Sequence, residues 1–458
     1  MTDAPIPARL ARVLATWAMD LPVSSIPAPQ MALARLRLKD ITGLILGGLG
    51  TPADQALRQV LNLYAAPGPV SMAGADTPRQ DIWAALAHGT LAHCWDYDDT
   101  FAESVVHPGC TVVPVALAVG EAEGRTDEEI LAAIVIGYEV AGRLGIAGGR
   151  RLHARGFHAS GVYGPLTAAI VAGRLIGASP EHVAEAMGLA GSMSGGLLEF
   201  VADGTWSKWL HLGWSAMGGI VATRLAASGF HGAQTVLEGR FGLYAAFAGE
   251  GAELDRITAG LGSRWEGDSA APKYYPCAHV TQPYIDMALA LAVQHDLKPA
   301  QIAGVTCVVA DWAVPIVCEP AGDKKRPRTN MQAIASLPWF VATALADRIV
   351  GLDTIGDAFR ARADLLDLAQ RIEYRVDPAL GRSFDGGLEI LLKDGSTLRI
   401  TGGMGGLDPA KLDRKFRGLA ARGLSDADVE SLALCLDGPD GGKRDAIAAA
   451  FKKASARN

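Results

Sequence analysis

Two stretches of this chain constrain its fold more than any other feature. Between Gly161 and Gly177, and again between Ser207 and Gly229, small and apolar residues occupy every helical face. A helix without a polar side has to be covered all round by other elements. At 458 residues the chain is long enough to provide that cover and a sizeable core. Its 54 glycines, with plentiful alanine, let helices approach one another closely. A large bundle of tightly packed helices is the expected result.

The rest of the first half is patterned in the same way. Thr51-Pro52-Ala53-Asp54 reads as a helix start with proline in the first turn. Thr126-Asp127-Glu128-Glu129 is a capping box ahead of an apolar periodic run that reaches about Leu144. Ser179-Pro180-Glu181 opens another helix. Near Gly262 the character changes. Ile302 to Asp311 is an apolar β-branched run, and Arg371 to Asp377 alternates with period two. Leu388–Lys393 and Ser396–Ile400 flank Asp394-Gly395, the signature of a hairpin. Helices are expected between these strands, at about 331–349 and 353–370. Beyond the glycine cluster at 402–406, helical patterning returns over Pro409–Arg422, Ser425–Leu436 and Lys443–Ala454. That cluster lacks the Lys-Ser/Thr of a phosphate-binding loop and the strand-then-helix setting of a dinucleotide site. The predicted fold is therefore mainly α. A large, discontinuous all-helical domain spans 1–262 and 405–458, and a smaller α+β lid domain is inserted at 263–404.

Charge and cysteine usage narrow the classes. A formal net charge of −7 argues against a nucleic-acid partner, which needs a basic face. It leaves room for an anionic small molecule, since a few local cations suffice to make a positive pocket. The six cysteines, Cys94, Cys110, Cys277, Cys307, Cys318 and Cys435, are scattered with no C-x-x-C pair, which points to reduced thiols and a cytoplasmic location. Asp3 and Asp20 bracket an amphipathic N-terminal stretch unlike a signal peptide. No uninterrupted apolar run of about 18 residues occurs, so no membrane span is expected.

Four blocks set polar side chains in apolar, glycine-bearing surroundings. The first is His93-Cys94-Trp95-Asp96-Tyr97-Asp98-Asp99-Thr100, followed by His107-Pro108. Three carboxylates this close repel one another unless hydrogen-bonded or paired with cations. They suit an acidic helix end, or a divalent ion held by Asp and His. The second is Gly156-Phe157-His158-Ala159-Ser160-Gly161, a histidine just ahead of a helix. It fits either a contact to an anion or a loop histidine with a backbone partner. The third, Ser207-Lys208-Trp209-Leu210-His211, puts a lysine between Trp206 and Trp209 at the start of an apolar helix. Such a lysine snorkels to the surface, clamps a carboxylate, or donates a proton with a lowered pKa. The fourth is Lys273-Tyr274-Tyr275-Pro276-Cys277-Ala278-His279 with Gln282, at the entry to the inserted domain.

In order and spacing these blocks resemble the MmgE/PrpD family, and the similarity spans nearly the whole chain. The segments Cys318-Glu319-Pro320, Arg326-Pro327-Arg328-Thr329 and Ser336-Leu337-Pro338 resemble further family segments of the lid. The family includes 2-methylcitrate or citrate dehydratase-like, cis-aconitate decarboxylase-like and iminodisuccinate epimerase-like enzymes. The resemblance implies a helical domain with a lid, a homodimer, and no metal or organic cofactor. It assigns catalysis to His107, His158, Lys208 and Asp96. Substrate binding would fall to Thr100, Lys273 and, as a looser match, His279. Three features depart from the family pattern. The step from Thr100 to His107 is one residue longer than in the decarboxylases. Gln282 stands where many members carry histidine, and Ile334 where many carry lysine or arginine.

Dehydration, decarboxylation and epimerisation share one demand: negative charge builds on a carbon beside a carboxylate. Lysines and hydrogen-bond donors stabilise that charge, and histidines move the proton. The expected function is a cofactor-independent lyase (hydro-lyase or decarboxylase) or epimerase acting on a small polycarboxylate. The alternatives are a metal-dependent hydrolase built on Asp96, Asp98, Asp99 and His107, and a non-catalytic family member.

Overall fold

The computed structural model describes residues 9–439 and 441–455. Asp3, invoked above for the N-terminal stretch, lies outside the described residues. The chain divides into two compact units: one of residues 9–94, 98–272 and 409–455, the other of 95–97 and 273–408.

The first unit is helical, and no strand runs between residues 110 and 230 among the described residues. Its helix starts follow from local chemistry. The Thr51 side chain accepts from the Asp54 amide with Pro52 in the first turn, and Ser179 does the same for the His182 amide. Thr126 and Glu129 exchange bonds as a reciprocal capping box. Helices Asp127–Gly148 and Ala159–Ile176 are long and apolar enough to cross a membrane. Their apolar windows are 100% and 89% buried inside the protein, which makes them the core of the bundle.

Helix Ser207–Ala227 packs chiefly on Ala159–Ile176 and Asp81–His93. The approach is so close that a Cβ on Gly213 would lie 2.2 Å from the Leu86 carbonyl oxygen, and one on Gly89 would lie 2.8 Å from the Gly213 Cα. Glycine at both positions is what lets the backbones touch. The mutation Gly213→Ala is expected to destabilise the protein by about 1–3 kcal/mol, because Leu86 backbone cannot yield. An unshifted melting temperature would show that the helices do not meet here. Burial on every face holds for Ala159–Ile176, but Ser207–Ala227 keeps a stripe at Leu210, Trp214 and Leu225 exposed. A stripe without charges gives no sequence sign of facing outward.

The C-terminal helices return to this unit through buried ions. Lys39, on Ala28–Gly47, bonds Asp413 and Asp437, while Lys415 reaches Asp40 at 2.7 Å. Residues 263–272 also pack with the first unit, although helical patterning stops near Gly262. Glu139 accepts the Gly267 amide at 2.9 Å, and buried Arg143 donates to the carbonyls of Ile257, Ala259 and Arg264. Side chain-to-backbone anchors of this kind have no periodic signature.

The second unit is built on a four-stranded sheet. Ile302–Val309 pairs in parallel with Ile372–Val376 and antiparallel with Gly386–Leu392, which pairs antiparallel with Thr397–Gly402. The last two strands form the hairpin around Asp394-Gly395, where Gly395 has φ +89°. Helices Gln282–Gln294, Leu337–Asp347 and Ala363–Gln370 bury Trp339, Phe340 and Leu365 in its core.

Candidate active site

In the first unit, histidines from four segments converge. His93 ends helix Asp81–His93, and His107 follows the two-residue strand Thr100–Phe101. His158 sits at the N-cap of Ala159–Ile176, and His211 lies on Ser207–Ala227. The His93 ring is 5.0 Å from that of His107 and 5.8 Å from that of His158. His158 in turn lies 6.0 Å from His107, 5.3 Å from His211 and 6.3 Å from His153.

The backbone sets each ring in place. The His107 amide donates to Ser160 Oγ at 2.9 Å, tying its loop to the first turn of Ala159–Ile176. Val105, just before, is held at φ +57°, a strained conformation for a β-branched residue. His158 does not cap its own helix: its amide bonds the Gly196 carbonyl and its ring turns to His211.

One tautomer can be read directly. His107 Nδ1 lies 3.0 Å from the Asp99 carbonyl oxygen, which can only accept, so Nδ1 carries the proton. Thr100 Oγ1 is at 3.0 Å and Asp98 Oδ2 at 3.4 Å from the same nitrogen. These partners fix the orientation and the tautomer of the ring. Asp98 also accepts from His93 Nδ1 at 2.9 Å.

Lys208 enters at the first turn of Ser207–Ala227, buried, with its ammonium 5.9 Å from the Phe200 ring centre. Its charge acts on the histidines. Burial first, then His93, Lys208 and the other neighbouring rings, hold His158 well below the usual histidine range. Burial, with His93 and Lys208, pushes His211 down to about 4, and burial, with Lys208 and Arg150, does the same for His153. These three rings are neutral at pH 7. The cluster thus combines a buried lysine with uncharged imidazoles, the equipment for holding an anion and moving a proton.

The acidic run spreads over separate environments. Asp99 accepts the Gly109 amide at 3.1 Å and the Tyr138 hydroxyl, and burial raises its carboxyl to about 6 despite that bond and nearby Arg37. Both Asp99 oxygens are thereby engaged in structure. For a metal ion, His93, Asp98 and Cys110 offer ligand atoms within 4.8 Å of one another, and all three are buried.

Asp96 and Lys273 belong to the second unit. Lys273 Nζ donates to Asp96 Oδ1 at 2.7 Å and to the Asp96 carbonyl at 2.8 Å, with Asp96 at φ +48°. His279 is buried and its ring lies 5.3 Å from Phe384. Two of the three departures from the family pattern have local explanations here. Gln282 accepts from the Tyr274 and Tyr275 amides and donates to the Tyr275 carbonyl and Cys277 Sγ, closing the Lys273–Cys277 loop. Ile334 is a core residue. Thr329 and Ser336 act as helix N-caps.

From sequence, His93, His153 and His211 carry no role, and Asp98 has one only in the metal-dependent alternative. His211 had a signal, since it follows Lys208 by three residues and so shares its helix face. His153 had none.

Comparison with known proteins agrees with the sequence blocks. Residues 12–255 match the MmgE/PrpD N-terminal domain and residues 275–437 the MmgE/PrpD C-terminal domain. A cis-aconitate decarboxylase of Aspergillus terreus (strain NIH 2624 / FGSC A1156) is 24% identical over 454 residues, covering 92% of each chain. The cis-aconitate decarboxylase of Homo sapiens is 28% identical over 368 residues, covering 76% of this chain and 75% of the relative. That of Mus musculus is 26% identical over 411 residues, covering 86% and 83%. With one family model matching more than half of its length and a second matching most of the remainder, the chain belongs to the MmgE/PrpD family.

Proposed function

We propose that this protein is a cofactor-independent lyase that acts on a small polycarboxylate, with decarboxylation of a cis-aconitate-like acid as its leading reaction. The observation that carries this reading is the buried cluster of Lys208 with neutral imidazoles around His158. The names of the relatives favour decarboxylation over dehydration or epimerisation. Lys208 and the Thr100 hydroxyl bind carboxylate oxygens. The bond to the departing carboxylate breaks, and its electron pair passes to a carbon conjugated with a carboxylate that remains. Carbon dioxide leaves, and a histidine delivers a proton to that carbon. Elimination or epimerisation uses the same parts, beginning with removal of a proton. His107 and His158 are the proposed proton carriers. Asp96 is retained as a proposed catalytic residue, and Lys273 and His279 as proposed substrate-binding residues. A proton NMR screen in deuterated water with citrate, methylcitrate, aconitate and iminodisuccinate tests the assignment. It reads exchange, elimination and decarboxylation together, and no change with any of these acids would sink the reading. Turnover that disappears on exhaustive chelation and returns with a divalent ion would favour the metal-dependent alternative.

The six thiols are all unpaired, which supports a cytoplasmic location. We propose that a second copy of the chain covers the exposed stripe of Leu210 and Trp214, the latter 52% exposed. With a net charge of −7, two copies repel over most faces, and an uncharged stripe is where that repulsion is least. Trp214→Glu is expected to convert a dimer into a monomer by light scattering at micromolar concentration. Wild-type protein of monomer mass would refute the dimer.

A further inference from the structure

His211 shares a hydrogen bond with another ring of the histidine cluster. Its Nδ1 lies 3.1 Å from His158 Nδ1. Two imidazole nitrogens bond only when one carries a proton and the other a lone pair, so each ring dictates the tautomer of the other. The His211 side chain packs close to glycine backbone on two sides. A Cβ on Gly196 would lie 3.1–3.3 Å from its atoms, and one on Gly161 would lie 3.3 Å from the His211 Cβ. The far nitrogen of His158, Nε2, is buried and has no hydrogen-bond partner among the described residues. It is therefore the atom whose character the pair decides.

Two arrangements are available. In one, His158 Nδ1–H donates to His211 Nδ1, and His158 Nε2 presents a lone pair. In the other, His211 donates and His158 Nε2–H is stranded. An orphaned buried N–H is rarer than an under-used acceptor, which favours the first arrangement. In the first arrangement His211 carries its proton on Nε2, on a ring that is only partly buried. Burial and surrounding positive charge keep both rings neutral, so the relationship persists at neutral pH.

We infer that His211 is a positioning residue that accepts a hydrogen bond from His158 Nδ1 and thereby fixes His158 Nε2 as a proton acceptor. The role in turnover rests on the lyase reading above; the tautomer does not. The test is nitrogen NMR of the ¹⁵N-histidine-labelled full chain, with His158 assigned by its loss in His158→Gln. The expected wild-type spectrum shows a protonated Nδ1 and an unprotonated Nε2 on His158. His211→Ala should blur this into a mixture of tautomers, and His211→Asn, whose side-chain oxygen sits near the lost Nδ1, should restore it. On any acid the enzyme turns over, His211→Ala should lower kcat roughly 10-fold with KM nearly unchanged, and His211→Asn should recover most of the loss. A protonated Nε2 in the wild type, or a His158 signal indifferent to His211→Ala, overturns the inference. If the expected spectra appear but no polycarboxylate is turned over by wild-type protein, the tautomer assignment stands and the lyase reading falls.

Discussion

Replacing Lys208 with alanine is expected to lower kcat/KM by roughly 10²-fold or more, with the loss shared between KM and kcat. Lys208 is the buried cation of the histidine cluster, and it sits in the first turn of a helix held to its neighbours by backbone contact at Gly213. A carboxylate bound there loses its clamp, and the negative charge growing beside it loses its stabilisation. Removing the charge should also let His153, His158 and His211 titrate closer to the usual histidine range, because Lys208 is among the causes that depress all three. The activity that survives should thus show a pH profile whose acidic limb moves upward. Steady-state kinetics across pH on the acid found by the NMR screen checks both points. Exposed His295, at the end of Gln282–Gln294, serves as the control, and its replacement should change little. Near-wild-type turnover in a folded Lys208→Ala protein would remove Lys208 from the proposed chemistry.

His107→Ala is expected to fail differently. With Nδ1–H held by the Asp99 carbonyl, the proposed proton transfer falls to Nε2, so kcat should fall by roughly 10²-fold while KM moves far less. Asp98→Asn should give part of the same loss, because Asp98 Oδ2 lies 3.4 Å from that Nδ1. Asp98 is fully buried and also serves His93, so melting curves have to accompany the kinetics. A folded His107→Ala protein whose kcat holds while KM rises would recast His107 as a binding residue.

Much of the fold was legible because it is written locally. Thr126 and Glu129 sit three residues apart and cap one helix, and the Asp394-Gly395 turn joins strands only a few residues away. The periodicity of apolar residues reports which face of an element is covered. It does not report by what, so the exposed stripe at Leu210 and Trp214 looked like core. Nor does it register an irregular segment such as 263–272, which is held by Glu139 and Arg143 through its backbone.

For the candidate site, the sequence alone determined residue types, their order and their nearness along the chain. Those were enough to single out the blocks around His107, His158, Lys208 and Lys273. Tertiary structure alone decided which atoms meet. His158 and His211 are 53 residues apart and share a hydrogen bond, while Asp98 and Asp99 are neighbours that serve different partners. The chain bends at Asp98, so closeness in sequence does not give the two carboxylates common partners. Distant rings are brought together by the packing of whole helices, whose close crossings depend on glycines such as Gly89 and Gly213. Burial then sets the charge state of those rings, and burial is a property of the assembled fold rather than of any one segment.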